Sequence, residues 1–335
     1  MIGWTCEAKH LATTALWAAA IALASVGCGF ERATGNAMGT TYSIQADCPG
    51  PLPRDRIDAE LDRLNALLST YDPHSELSRF NRSPSGVALP VSPELVAVVD
   101  AAFVVAEQTR GAFDATVAPL VALWGFGADA AQRAPLDSEV AQALRSVDYR
   151  RVAHGRDPPT LEKLLPATLD LSGIAKGFAV DRVAGVLDDA GCGSYLIEFG
   201  GEIRASGNPS GGGPWRLGVE SPSGADYVRT LLLENGALAT SGDYRQYRES
   251  DGVRVSHIID PRTGYPVRHR LASVTVVADT AMMADAMATA LLVMGATEAT
   301  RFAGDSGVAA LFVVRVDDGF EVFHSAAMAA YLGRG

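Results

Sequence analysis

Residues 167–207 read ATLDLSGIAKGFAVDRVAGVLDDAGCGSYLIEFGGEIRASG, and this stretch decides the fold class. ATLDL alternates like a strand, Ser172 and Gly173 make a tight turn, and a helix follows as far as Gly191. SYLIEF and EIRAS then alternate on either side of Gly200 and Gly201, as two strands of a hairpin do. A helix that feeds a hairpin, with no second parallel strand at regular spacing, points to an α+β chain.

The flanking sequence extends this pattern. Upstream, AMGTTYSIQADC alternates like a strand, and RDRIDAELDRLNALLSTYD carries Ile57, Leu61, Leu64 and Leu68 at helical spacing. A second helix is expected over SPELVAVVDAAFVVAEQTRG, with Ser92 as N-cap, Pro93 at its first position and Gly111 closing it. Downstream, PWRLGVESP, RTLLLENGALATSG, VSHIIDPRTGYPV and LASVTVVAD read as further strands. A last long helix is expected over residues 281–294, and ALFVVRVDDGFEVFHS as an Asp-Gly hairpin. The expected architecture is one elaborated catalytic domain, residues 29–335, of mixed and largely antiparallel strands with packed helices.

Composition narrows the function. Twenty-eight Lys and Arg against 39 Asp and Glu leave a net charge of -11, which argues against a nucleic-acid partner and means that any anionic ligand needs a local cation. Hydrophobic residues at 48% and charged residues at 20% suit a folded body. Lys9 and His10 precede an apolar run over residues 11–27 that ends in small residues before Cys28, the pattern of a secretory signal over residues 1–28. The Ser25, Val26, Gly27, Cys28 ending resembles a bacterial lipoprotein box, so a lipid anchor at Cys28 is expected. Cys48 and Cys192 either pair or stay free, since the four cysteines form no CxxC and no metal-spaced cluster.

Three segments carry candidate chemistry. In VADTAMMADAMATALLVMG, Asp285 and Thr289 stand four residues apart, on one face of a helix. A carboxylate beside a hydroxyl is a hard oxygen set suited to magnesium or calcium, although such a pair also serves as ordinary helix surface. In LDLSGIAKG, Asp170 precedes the turn and Lys176 follows it, a geometry that can receive phosphate oxygens or simply stabilise a turn. In VSHIIDPRTGYP, His257 sits in an apolar strand ahead of an Asp260 to Gly264 turn and could take a proton from an attacking hydroxyl. Phe113, Trp124 and Phe126 around Asp114 could wall a pocket for a flat ring, and Thr240, Ser241, Asp243 and Arg245 read as a polar loop after a strand.

Taken together, AMGTTYSI, LSTYDPHSELSRFN, GAFDATVAPLVALWGFG, LDLSGIAKGFAVD, IEFGGEIRASG, SGDYRQY, SHIIDPRTGYP and ADAMATALLVMG resemble the ApbE family of FAD:protein FMN transferases over residues 37–295. The resemblance implies FAD in a deep cleft, contacted by Met38, Tyr71, Ala112, Phe113, Asp114, Asp170, Lys176, His257 and Ile259. It implies Mg2+ held by Asp285, Thr289 and a carbonyl near Gly173. Some relatives carry a further acid three residues after the helix aspartate, where this chain has Ala288. The implied reaction moves FMN from FAD to a threonine of a respiratory flavoprotein subunit and releases AMP, with His257 and Asp285 as the catalytic pair. The alternatives are an FAD pyrophosphatase giving FMN and AMP, and a non-catalytic periplasmic flavin-binding protein. The family's habit of export agrees with a lipid-anchored protein on the periplasmic side of the bacterial inner membrane.

Overall fold

The computed structural model describes residues 29–333 except 128–129, 131–132, 225, 245–246 and 251–252. The expected signal segment with Cys28, and Arg245, lie outside the described residues. In chain order the first elements are β1 (Glu31–Ala37), β2 (Thr40–Asp47), α1 (Arg54–Leu68), α2 (Glu76–Arg82), β3 (Ala88–Pro90) and α3 (Pro93–Gln108). Next come α4 (Ala118–Leu123), α5 (Asp137–Leu144), β4 (Val152–Arg156), β5 (Pro159–Lys163) and α6 (Ser172–Asp189). The hairpin strands β6 (Ser194–Phe199) and β7 (Glu202–Ser206) lead into β8 (Trp215–Glu220), β9 (Tyr227–Leu233) and β10 (Gly236–Gly242). Last are β11 (Tyr247–Ser250), β12 (Val253–Ser256), β13 (Leu271–Ala278), α7 (Ala281–Ser306), β14 (Ala309–Val316) and β15 (Gly319–His324).

Eight strands form one sheet in the order β1-β2-β6-β7-β10-β13-β14-β15. Every neighbouring pair in it is antiparallel, in keeping with the α+β expectation. Alternation assigns its two faces. Tyr195, Ile197 and Phe199 of β6 join Ala237 and Ala239 of β10 and Phe312 of β14 in the large core beneath α6 and α7. Leu196, Leu238, Leu311 and Val313 point the other way, to Trp215 and Leu217 of β8 and Leu231 and Leu233 of β9. The antiparallel pair β8–β9 thus covers the second face of the central strands, which are buried on both sides.

The helices begin and end where local chemistry directs. Ser92 accepts a hydrogen bond from the Leu95 N–H at 3.2 Å, with Pro93 at the first position of α3. Thr280 caps α7 through the Met283 N–H, and Gly307 closes it with φ 68°. One side chain and one glycine hold α6 against α7. Asp181 of α6 accepts from the first two α7 backbone N–H groups, of Ala281 and Met282, each at 2.9 Å. A Cβ on Gly177 would stand 2.2 Å from the Ala281 carbonyl oxygen, so the two helices cross in near backbone contact. Cys48, at the end of β2, and Cys192, just before β6, form a disulfide.

Several expectations are revised. Residues 167–171 form no strand, and the Asn81 side chain takes the backbone hydrogen bonds of Leu169: its Oδ1 accepts from the Leu169 N–H and its Nδ2 donates to the Leu169 carbonyl, both at 2.8 Å. The Asp170 N–H goes to the Ala115 carbonyl at 2.7 Å. His257 lies just past the end of β12, where the Ser256 hydroxyl accepts from the Ile258 N–H and bends the chain. Thr240 and Ser241 stand inside β10, because Thr240 pairs with Thr275 and Ser241 with Val274 across the ladder to β13. α7 runs beyond residue 294 to Ser306, broken only at Gly295, whose φ of 74° and ψ of 167° leave the helical region.

Candidate active site

The α6–α7 crossing gathers the charges that the sequence scatters. Lys176, one turn into α6, places its Nζ 3.0 Å from Glu202 Oε1 at the start of β7 and 3.6 Å from Asp285 Oδ1 on α7. Asp285 Oδ2 accepts from the Gly177 N–H at 3.0 Å. Asp285 and Glu202 are each 2% exposed. Burial pushes the Asp285 carboxyl above its usual range, against the pull of Lys176 and the Gly177 N–H. Burial likewise raises Glu202, with Lys176 opposing and the charges of Asp285 and Glu198 adding. For Lys176, burial favours the neutral amine, but Asp285 and Glu202 outweigh it and hold the ammonium charged.

One turn along α7, the Thr289 hydroxyl lies 3.1 Å from the Ser241 hydroxyl of β10. Gly173 in the first turn of α6 comes against the same place. A Cβ there would stand 3.4 Å from Thr289 Oγ1 and 3.1 Å from the Phe113 ring, so glycine keeps the backbone open beside the hydroxyl. Sequence reasoning thus finds Asp285, Thr289, Gly173, Lys176 and Phe113, and the fold brings them to one helix crossing. It misses Glu202, whose signal was a lone carboxylate at the head of an alternating apolar strand.

These residues fit a hard cation. Among the described residues no three His, Cys, Asp or Glu side chains converge. A metal here therefore draws on one carboxylate, a hydroxyl and main-chain oxygen, donors that suit magnesium and not zinc. Glu202 Oε2 is buried with no hydrogen-bond partner, a mark of a site built for a ligand beyond the protein's own groups. Ala288 is fully buried and supplies no donor.

The remaining candidates are held in different ways. Met38 adopts φ 47° in the two-residue turn between β1 and β2, a left-handed conformation unusual for a residue with a Cβ. Tyr71, beyond α1, is 72% exposed, with its ring open to a ligand. Ala112 and Phe113 are buried. Asp114 is buried too, but its carboxylate is spent: it accepts from the Thr116 N–H at 2.7 Å, the Thr116 hydroxyl at 2.6 Å and the Tyr149 N–H at 2.9 Å. Asp170 accepts from the Ser172 N–H at 2.8 Å and so shapes the entry to α6.

His257 has the Phe126 ring edge-on at 6.3 Å between centroids. Ile259 turns into a small apolar cluster with Leu120 and Val140. The Trp124 indole donates to the Gly264 carbonyl at 2.7 Å and so ties the α4 loop to the Asp260 to Gly264 turn. Of the three candidate pocket aromatics, Phe113 therefore abuts Gly173, Phe126 meets His257, and Trp124 is a strut.

A sequence profile of the ApbE family matches residues 38–312. A curated FAD:protein FMN transferase of Vibrio cholerae serotype O1 is 41% identical over 312 residues, spanning 90% of this chain and 92% of the relative. One from Haemophilus influenzae is 39% identical over 328 residues, spanning 92% and 95%. The solved flavin transferase ApbE from Vibrio cholerae superposes with a TM-score of 0.83 at 40% identity, over 90% of this chain and 99% of that one. The apo flavinyl transferase ApbE of Pseudomonas stutzeri gives 0.84 at 36% identity, over 91% and 98%.

Proposed function

This chain belongs to the ApbE family, and from that membership we propose that it is an FAD:protein FMN transferase, with FAD as donor and a flavoprotein as acceptor. The observation that carries the chemistry is the α6–α7 crossing, where Asp285 and the Lys176 ammonium stand 3.6 Å apart, one turn from Thr289. An acidic protein that handles a pyrophosphate needs concentrated positive charge, and this is where it can be assembled.

In the proposed step, the acceptor threonine oxygen attacks the FMN-side phosphorus of FAD. The new P–O bond forms as the anhydride P–O bond breaks, AMP leaves with the bonding electrons, and His257 takes the hydroxyl proton. Lys176 faces the phosphates with its ammonium, while Met38, Tyr71 and the segment of Ala112, Phe113 and Asp114 flank the flavin nucleotide with Asp170 and Ile259. Asp285, Thr289 and the carbonyl near Gly173 would hold Mg2+, which when bound supplies Lewis-acid stabilisation to the pyrophosphate. We take the acceptor to be a respiratory subunit and the enzyme to be exported, anchored by lipid at Cys28 on the periplasmic side of the inner membrane.

The curated relatives are transferases by name, and neither the pyrophosphatase reading nor the flavin-storage reading gains support from them. Incubating the protein with FAD, Mg2+ and a threonine-bearing acceptor, then weighing the products, tests the reaction. FMN on the acceptor is expected. Free FMN with an unlabelled acceptor would favour the hydrolase instead.

A further inference from the structure

Glu202 has no part in the reaction as written above, yet it is among the most deeply buried charged groups of the fold, 2% exposed. Its Oε1 serves Lys176 at 3.0 Å, and its Oε2 is buried without a hydrogen-bond partner. A carboxylate kept in the interior on one interaction weakens the fold relative to an apolar side chain of the same shape. Its neighbour Glu198 shows the contrast, since it closes the β6–β7 turn by accepting from the Gly201 N–H at 3.0 Å.

The geometry points to Glu202 as the positioning residue for Lys176, fixing the ammonium where it meets the FAD phosphates and keeping it from pairing fully with Asp285. Two observations carry this. Lysine has a flexible four-carbon stem, so an ammonium that must meet a phosphate needs an anchor. The anchor here stands on rigid ground, because Glu202 opens a strand held on both sides, opposite Phe199 of β6 and Ala239 of β10. The distances also divide the labour: 3.0 Å to Glu202 is a charge-assisted hydrogen bond, whereas 3.6 Å to Asp285 is outside that range. Asp285 is thereby left with oxygen capacity for another cation.

This inference rests on the reading of Lys176 as a phosphate ligand, and the test separates the two. FAD affinity is measured by flavin fluorescence without metal, and KM and kcat are measured with metal, for Lys176→Met, Glu202→Leu, Glu202→Gln and Lys176→Met/Glu202→Leu. Glu202→Leu is expected to weaken FAD binding about tenfold and raise KM with little change in kcat. Glu202→Gln, which keeps an acceptor and the shape, should stay within about threefold of the parent. The double variant should bind no worse than Lys176→Met alone. Additive losses, an unaltered Glu202→Leu, or a Glu202→Gln as poor as Glu202→Leu would each overturn the positioning role. A Lys176→Met chain that binds FAD like the parent would overturn the phosphate-ligand reading and this inference with it. If Glu202→Leu folds poorly, Glu202→Ala takes its place in the same cycle.

Discussion

Asp114 and Asp285 are both buried aspartates, 7% and 2% exposed, and the fold employs them in opposite ways. Asp114 accepts three hydrogen bonds, two from Thr116 and one from the Tyr149 N–H, and Thr116 in turn accepts from the Asp148 N–H at 2.8 Å. Its capacity is consumed in knotting the loop after α3 to the turn before β4. Asp285 receives one backbone N–H and a lysine at 3.6 Å, which leaves oxygen lone pairs facing the helix crossing. Burial pushes both carboxyls up, Asp114 and Asp285 alike, so the direction of the pKa does not separate them. Saturation does. A satisfied buried acid is structural, and an unsatisfied one is held ready for a ligand.

The largest effect that sharpens this contrast should come from Asp285→Asn, which keeps the shape and one acceptor oxygen for the Gly177 N–H but removes the charge. Transfer of FMN should fall by roughly 10²–10³-fold while the thermal midpoint holds or rises. A variant that labels its acceptor at the parent rate would overturn the proposed metal-holding role of Asp285. For Asp114→Ala the roles reverse. Urea unfolding should show a loss of about 3 kcal/mol, with turnover per folded molecule changed far less. A fully stable but inactive Asp114→Ala would break the contrast.

Gly177→Ala tests the crossing on which Asp285 depends. The added methyl meets the Ala281 carbonyl, so we expect about 2 kcal/mol of destabilisation, with weaker transfer from the folded fraction. The smallest expected effect belongs to a carboxylate outside the interior. Hydrogen bonds from Arg63, then Arg182, overcome partial burial and hold Glu60 at about 2, against an ordinary 4.5. A depressed acid contributes stability above its unfolded value and loses it as pH falls through the folded one, so the window runs from 4.5 down to about 2. Across that window the parent should lose about 1 kcal/mol more than Glu60→Gln, read from acid unfolding curves. Equal curves would mean that the Arg63 and Arg182 contacts contribute nothing.

Much of the site was legible because helix geometry is local. A step of four residues from Asp285 to Thr289 puts both on one face, and a turn before Lys176 marks a helix start, whatever surrounds them. The alternation of β6 likewise assigned Ile197 and Phe199 to one side and Leu196 to the other. What could not be read were contacts between elements. Nothing in GGEIRAS says that Glu202 meets a lysine from the preceding helix, because that depends on how α6 lies on the sheet. Periodicity places His257 in a strand because it does not register the Ser256 side chain bonding to the backbone just past β12. The strand expected over residues 167–171 failed for a similar reason, with Asn81 from α2 replacing a sheet partner.

By itself the sequence determined the long helices α1, α3, α6 and α7, the β6–β7 and β14–β15 hairpins and the oxygen chemistry of Asp285 and Thr289, since these follow from each residue's chain neighbours and its own chemistry. Only the tertiary structure decided which distant groups meet. Cys48 and Cys192, 144 residues apart and equally able to stay free, form a disulfide because β2 and β6 pair side by side. Asp114 is saturated and Asp285 is not because one faces a loop rich in N–H donors and the other faces a crossing kept open by glycine. Such meetings are set by the packing of whole elements, and no spacing along the chain encodes them.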